Sequence, residues 1–481
     1  MKTGFLTLCA TLLLIGCADT TEKTTNALNE RIAQIENGLQ SNLQIQYGDS
    51  LIKSVYALEE RMHELQIPGV SIAVLHQGEL HWAKGYGMAD SLEQRKVTHE
   101  TVFQAGSISK PVAATRAHQL VEQGLIHLDS NVNHYLSSWK LPDNEFTATE
   151  KVTLRRMLNH TAGLTVWGFP GYAQGDTVPS IPDILDGKGN TDAVRVYKEP
   201  GESWRYSGGG YTIMQQMITD IEQRPFAEIL KDEVLQPLGM AASTYENPLP
   251  ETYHGIAATG YHSDGSPVAG KWHTYPEMAA AGLWTTPSDL VLWGKEIQHI
   301  LSSQQDGLLQ AATVNEMLTP NEDSQGLGPY VLDLTFGHGG ADEGFRAELL
   351  VWKETANAVV VMVNSNKGST IIREILHSIV AAYGLPDYKP TVRVFKAQTA
   401  SELERFSGTY DLGEYGQALL KVKDDGLEFS GDLVTEPVFL WPEADTTFFT
   451  KSAGQRFQFT IENGAVTGIS FSRVSGTKVN E

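Results

Sequence analysis

The chain has 481 residues, 41% of them hydrophobic, with 36 Lys and Arg against 58 Asp and Glu, a formal charge of −22 and a pI near 5.0. This length and apolar fraction suit two or three globular domains with a real core and exclude a disordered chain. The acidic balance excludes nucleic acid and anionic lipid surfaces as electrostatic partners, because both are recognised through an excess of Lys and Arg.

Met1-Lys2 is followed by an apolar run from Phe5 to Ile15 and then by Gly16-Cys17, the layout of a secretory signal. The run is too short for a spanning helix. Leu14-Ile15-Gly16-Cys17 resembles the bacterial lipoprotein signal, which implies that Cys17 becomes the lipidated first residue of a protein anchored to a membrane of the cell envelope. Of the two cysteines, Cys9 would leave with the signal and Cys17 would carry lipid. No thiol then remains for a disulfide, a nucleophile or a zinc site. Residues 1–17 are accordingly expected to be a signal peptide and residues 18–49 a tether with a helix. In that stretch Leu28, Ile32, Ile35, Leu39 and Leu43 recur at helical spacing, fitting a stalk or a docked helix.

From Val70 the pattern changes to period two, and two runs, Val70–Leu75 and Leu80–Tyr86, flank His76-Gln77-Gly78-Glu79 as a predicted β-hairpin. Helical patterns follow at Val112–Gln123, Leu154–Asn159 and Thr212–Glu222. Strands return at Ala347–Trp352 and Ala358–Val363, before a helix with Ile372, Ile375, Leu376 and Ile379 on one face. Strands at both ends of a block with helices between them predict a mixed α/β (α+β) domain over residues 50–388. In it an antiparallel sheet would be flanked by helices, with a helical region inserted in the middle. Lys389-Pro390 marks a boundary, and residues 391–481 read as a small antiparallel barrel or sandwich. Its predicted strands are Leu419–Lys423, Leu427–Ser430, Phe448–Thr450, Phe457–Ile461 and Val466–Phe471, with a type I′ turn at Asn463-Gly464.

Ser107 and Lys110 stand three residues apart at a predicted helix start, so they share a face and could form a nucleophile and base. Ser-x-x-Lys also occurs at Ser50/Lys53, Ser137/Lys140 and Ser475/Lys478. Ser50 is expected just before a helix, Ser137 in a loop and Ser475 in the tail. Only Ser107 follows a strand-like lead, Val102-Phe103, through a glycine into a helix, where unpaired N–H groups and the macrodipole favour developing negative charge. Read as a pair alone, Ser107 is better explained as an N-cap with Lys110 a surface charge. Lone His160 reads as a loop-bonding residue. No His-Glu-x-x-His spacing, Gly-x-Ser-x-Gly elbow or Walker loop is present, so no metal or other cofactor is expected.

The surrounding motifs decide among these readings. Ile67-Pro68-Gly69-Val70, Gly106-Ser107-Ile108-Ser109-Lys110-Pro111, Leu158-Asn159-His160-Thr161-Ala162-Gly163-Leu164, Pro200-Gly201-Glu202 with Tyr206-Ser207-Gly208, Pro237-Leu238-Gly239-Met240, Ala281-Gly282-Leu283-Trp284 and Gly337-His338-Gly339-Gly340 occur in order. From about Ser54 to Tyr383 the chain resembles the serine β-lactamase and penicillin-binding-protein family, in the branch of class C β-lactamases, esterases and D-aminopeptidases. The C-terminal region resembles a lipocalin-like accessory domain. The resemblance implies a β-lactamase/transpeptidase-like fold and Ser107 as nucleophile of an acyl-enzyme. Lys110 would take its proton, Tyr206 would share the proton transfers, and His338 would complete the catalytic set. It further implies an oxyanion hole from the N–H groups of Ser107 and Ala341, with substrate lying along a strand edge at Gly339 and Gly340. Two departures stand out: Gly208 occupies the place of an asparagine that would bind a substrate amide, and His338-Gly339-Gly340 replaces the common Lys-Thr-Gly.

The expected function is a serine hydrolase acting on small esters or peptides of D-amino-acid type in the cell envelope. The alternatives are a true class C-like β-lactamase or D,D-peptidase, and a binding module that captures wall fragments or penicillin without turnover. The partner is thus a small-molecule ester, peptide or β-lactam, and the sequence leaves the oligomeric state open.

Overall fold

The computed structural model describes residues 25–434, 436–450, 454–472 and 474–479. The expected signal peptide and Cys17 lie outside the described residues. Two compact units are present, one of residues 59–372 and the other of residues up to 58 together with 373–481. Among the described residues no helix is long and apolar enough to cross a membrane.

The 59–372 unit is built on a seven-stranded antiparallel sheet. Its strands are β1 (Gly69–His76), β2 (Glu79–Asp90), β3 (Arg95–Lys96), β4 (Tyr330–Val331), β5 (Thr335–Asp342), β6 (Phe345–Trp352) and β7 (Ala358–Val363), in the order β4-β5-β6-β7-β1-β2-β3. Strands from the two ends of the block therefore meet at the β7–β1 pairing, as the order of predicted elements required. The alternation around Val70 does not mark a solvent face, however. Ser71 and Ala73 are as buried as Val70 and Ile72, because β1 is covered on both sides, the situation in which strands lose polar alternation.

Three helices matter for the site: α1 (Ser109–Glu122), α2 (Gly208–Glu222) and α3 (Pro287–Ser303). Helix α1 is buried over most of its length, which explains a sequence with little amphipathic contrast. α3 is capped by Thr286, whose hydroxyl accepts the Asp289 N–H, with Pro287 in its first turn. An ion pair joins α1 to α2, with Arg116 Nε 2.7 Å from Glu222 Oε1 and both side chains largely withdrawn from solvent.

In the other unit, eight strands from Gly408–Asp411 to Val474–Lys478 form a closed barrel. Period-two alternation is clear in Arg456–Glu462, where Phe457 and Phe459 point inward between exposed Arg456, Gln458 and Thr460. The interior is filled by rings, among them Phe406, Tyr410, Phe429, Phe448 and Phe471, so this barrel has a packed aromatic core. Asn463 and Gly464, with φ of 49° and 84°, form the predicted I′ turn. The amphipathic N-terminal helix, over residues 25–36, is docked within this unit: Ile35 is buried and its carbonyl, like that of Gly38, accepts from Ser378 Oγ. Strand Leu43–Tyr47 pairs in parallel with Thr391–Phe395.

The α1–α2 ion pair yields a stability prediction. Glu222→Ala leaves the buried Arg116 guanidinium with Gln119 Oε1, at 3.1 Å, and the more distant Glu233, at 3.6 Å. Removing one partner of a buried pair costs about 3–5 kcal/mol, and the residual contacts put this variant at the lower end. Urea denaturation measures it.

Candidate active site

Ser107 lies in a 3-10 turn, Gly106–Ile108, that runs directly into α1 at Ser109. The α-helix proper thus starts two residues later than the sequence pattern predicts. Gly106 makes the tighter start possible: its φ is +52°, and a Cβ there would stand 2.4 Å from Ala341 N on β5. The opposing glycine does the same, since a Cβ on Gly340 would lie 2.0 Å from Ala105 O. Two chain segments therefore approach backbone to backbone, bringing Ser107 and Ala341 together. Ser109 fixes the turn from behind, its hydroxyl donating to Gly106 O and accepting from Leu283 N.

Lys110 is 2% exposed, and its Nζ donates to Ser107 Oγ at 2.9 Å and to Ala280 O at 2.7 Å. The other three Ser-x-x-Lys pairs are differently placed. Ser50 lies in strand Ser50–Ile52 rather than before a helix, Lys140 donates to the Asn133 and Leu136 carbonyls, and Ser475 lies in a barrel strand.

Tyr206 ends the loop before α2, with its ring centroid 5.0 Å from Lys110 Nζ. Ser207 caps α2, accepting the Gly210 N–H, and its hydroxyl donates to Val166 O. His160 holds this junction. Its Nδ1 accepts the Ser207 N–H at 3.1 Å, its carbonyl accepts the Arg205 N–H, and its ring lies 4.2 Å from that of Tyr206. Its side-chain bond is thus to the segment before α2 rather than within its own loop, and it also packs on Tyr206, which spacing alone did not reveal. Burial first, then the charge of Lys110, holds its pKa well below the usual 6.5.

His338 projects from β5, with its ring 6.2 Å from that of Tyr206. Its Nδ1 lies 2.6 Å from Gly339 O, which can only accept, so the proton sits on Nδ1 and Nε2 carries the lone pair. Burial and then Lys110 lower its pKa to about 4, so the ring is neutral at pH 7. It cannot replace the positive charge of a lysine toward a substrate carboxylate. β4 pairs only with Phe336 and Gly337 of β5, so Gly339, Gly340 and Ala341 border an edge that β4 does not cover.

Gly208 begins α2, and its N–H donates to Trp167 O at 2.9 Å. A Cβ there would stand 3.0 Å from Phe169 Cε2 and 3.1 Å from Trp167 O. The place that an asparagine takes in relatives is therefore walled by an aromatic ring and a carbonyl.

Two acids beneath the turn carry no motif and were missed in the sequence. Glu277 precedes the short helix Met278–Ala281, whose Ala280 carbonyl holds Lys110. It is 0% exposed, and neither carboxyl oxygen has a hydrogen-bond partner among the described residues, so burial raises its pKa to about 7. Burial also pushes Asp342 well above the carboxylate range, against the pull of Lys110 and Arg346, while the nearby Glu277 charge raises it further. Among the described residues no group of three or more His, Cys, Asp or Glu side chains is arranged to hold a metal ion.

The raised Glu277 pKa fixes a sign. The folded state keeps a proton that the unfolded chain releases between its ordinary 4.5 and about 7, so this contribution to stability is full below pH 4.5 and is lost as pH rises through 7. The urea midpoint of the wild type is expected to fall between pH 5 and pH 8, and Glu277→Gln to flatten that slope. An unchanged slope in the variant would show that Glu277 is already ionised.

Comparison with known proteins adds the family. The family model described as Beta-lactamase matches residues 57–381. Penicillin-binding protein 4* of Bacillus subtilis (strain 168) is 22% identical over 445 residues, covering 86% of this chain and 94% of its own. Protein flp of Staphylococcus aureus (strain MW2) is 26% identical over 324 residues, covering 63% of this chain and 61% of its own. Among solved structures, the octameric penicillin-binding protein homologue from Pyrococcus abyssi superposes with a TM-score of 0.61 at 22% identity, covering 88% of this chain and 98% of that one. SurE with D-Leu superposes with a TM-score of 0.56 at 20% identity, covering 88% and 97%. The family-model match spans more than half of the chain, so the chain belongs to the beta-lactamase family.

Proposed function

We propose that the protein is a serine hydrolase working by acyl transfer through Ser107 on small esters and short peptides, D-amino-acid compounds included. Its place of action is the bacterial cell envelope, where lipidated Cys17 tethers it. The observation that carries the reading is the 2.9 Å contact from Lys110 Nζ to Ser107 Oγ, with the amine buried and the Tyr206 ring beside it.

With Lys110 in its neutral form, its amine accepting across the Ser107 contact, Ser107 Oγ attacks the acyl carbonyl as its proton passes to Nζ. The N–H groups of Ser107 and Ala341 receive the oxyanion, a contribution worth about 10²–10³ in rate per donor. Collapse expels the alcohol or amine, which takes a proton delivered through Tyr206. Water then attacks the Ser107 ester, its proton drawn off through Tyr206 and Lys110, and the acid product leaves with Ser107 restored. Neutral His338 presents Nε2 to the same space as a hydrogen-bond acceptor.

Esters are favoured over β-lactams and peptide amides by Gly208, which supplies no amide-binding side chain and stands where a Cβ would press on Phe169 Cε2 at 3.0 Å and on Trp167 O at 3.1 Å. The same feature favours a second reading, capture of a wall fragment or penicillin without turnover. A fluorophosphonate probe is expected to label Ser107, and p-nitrophenyl acetate to be turned over continuously, with both lost in Ser107→Ala. A folded wild type that remains unlabelled would overturn the hydrolase reading, and a single stoichiometric burst would favour capture.

Restoring the asparagine should not restore amide chemistry. Gly208→Asn is expected to leave nitrocefin turnover no faster and to destabilise the fold by about 1–3 kcal/mol through overpacking against Phe169. Thermal unfolding and a nitrocefin assay measure the two effects.

A further inference from the structure

Trp167 is 67% exposed, whereas Trp284, Trp293 and Trp352 are at most 1% exposed. Its backbone is firmly held. Trp167 O accepts the Gly208 N–H, the preceding Val166 O accepts from Ser207 Oγ and Gly209 N, and Val166 itself is buried. The exposed indole is thus carried on a segment stitched to the start of α2, with its ring centroid 6.0 Å from that of Tyr206. Phe169, half-buried two residues on, packs over Gly208. An isolated exposed tryptophan needs no explanation, but one fixed beside the tyrosine that flanks Lys110, with a second ring two residues on, offers an apolar surface beside that tyrosine.

We propose that Trp167 and Phe169 form an acyl-group subsite that selects apolar acyl chains. The inference rests on the hydrolase reading and names its substrate class as esters of medium-length or aryl carboxylic acids. The argument is one of replacement. An asparagine at position 208 would offer a polar amide to the acyl portion of the substrate. Here no such amide is present, a Cβ would meet Phe169 Cε2 at 3.0 Å, and the exposed Trp167 indole stands 6.0 Å from the Tyr206 ring. An acyl group bearing an amide loses its partner there, while a hydrocarbon chain gains contact with the indole face and leaves water.

The test is a series of p-nitrophenyl esters, from acetate through butyrate to hexanoate, read as the ratio of kcat/KM for hexanoate to that for acetate. In the wild type the ratio is expected to reach about tenfold, the low end of what added methylenes gain in an apolar pocket. In Trp167→Ala it should fall close to one, in Trp167→Phe most of it should remain, and Leu92→Ala, 80% exposed on the turn between β2 and β3, should keep the wild-type ratio. Thermal unfolding confirms that the variants fold. A wild type that prefers acetate, or a ratio unchanged in Trp167→Ala, overturns the subsite while leaving the hydrolase reading intact. Absence of both ester turnover and probe labelling at Ser107 overturns the hydrolase reading and this inference with it.

Discussion

The placement of one buried amine organises the site. Lys110 Nζ is nearly inaccessible to water, and a buried amine without partners costs several kcal/mol, so its acceptors are structural requirements before they are catalytic ones. Two are present, Ser107 Oγ on its own turn and Ala280 O on the short helix 278–281. Meeting that requirement fixes the serine hydroxyl toward the lysine and holds the Glu277–Ala280 segment beneath it. The aromatic faces of Tyr206 and Tyr211 complete the surround, at 5.0 and 5.7 Å. The charge of the same amine helps keep His160 and His338 neutral and opposes the burial that pushes Asp342 up. Lys110 thus adds to burial in setting the protonation of its neighbours and also fixes the direction of the Ser107 hydroxyl.

That amine can be held only if its supports stay in register, and the fold supplies this at two places. Gly106 and Gly340 allow the nucleophile turn and β5 to touch through their backbones, so Ser107 N and Ala341 N keep a spacing that side chains would prevent. On the far side, the Arg116–Glu222 pair ties the helix that carries Lys110 to the helix that follows Tyr206. Neither device is a loop. Both act between elements of the central unit, which suits a site whose geometry must hold within fractions of an ångström.

Much of this was legible because the relevant signals are local. Ser107 and Lys110 lie one helical turn apart, and the Asn463-Gly464 turn announces itself by residues that tolerate positive φ. Within the barrel, Gln417–Lys423 and Arg456–Glu462 alternate clearly, whereas Gly408–Asp411, Val438–Pro442 and Val474–Lys478 were not seen. They are short, and Gly, Pro or polar residues dilute their alternation, so their strand character comes from barrel closure rather than from propensity. The unread part of the site has the same origin. Glu277 has no motif and acquires its raised pKa only through burial created by distant segments, and His160 and Tyr206, 46 positions apart, come into ring contact only after folding.

Gly208 shows how an apparent loss in a sequence can be a substitution in space. Read along the chain, it is a missing asparagine; in the folded unit a Cβ there would press on Phe169 and on the Trp167 carbonyl, and the exposed Trp167 indole stands 6.0 Å from the Tyr206 ring. The exchange changes the kind of discrimination the site can exert. A site built to hydrogen-bond a substrate group rejects analogues lacking it by about 10⁴–10⁵, because its own buried polar groups would be left unpaired. An apolar wall leaves nothing unpaired and grades its ligands by contact, at about 10–200-fold per methylene at best. Under the proposed acyl subsite, replacing the amide with rings would trade all-or-none recognition for graded selection, and the site would then suit a range of apolar acyl groups rather than one amide-bearing substrate.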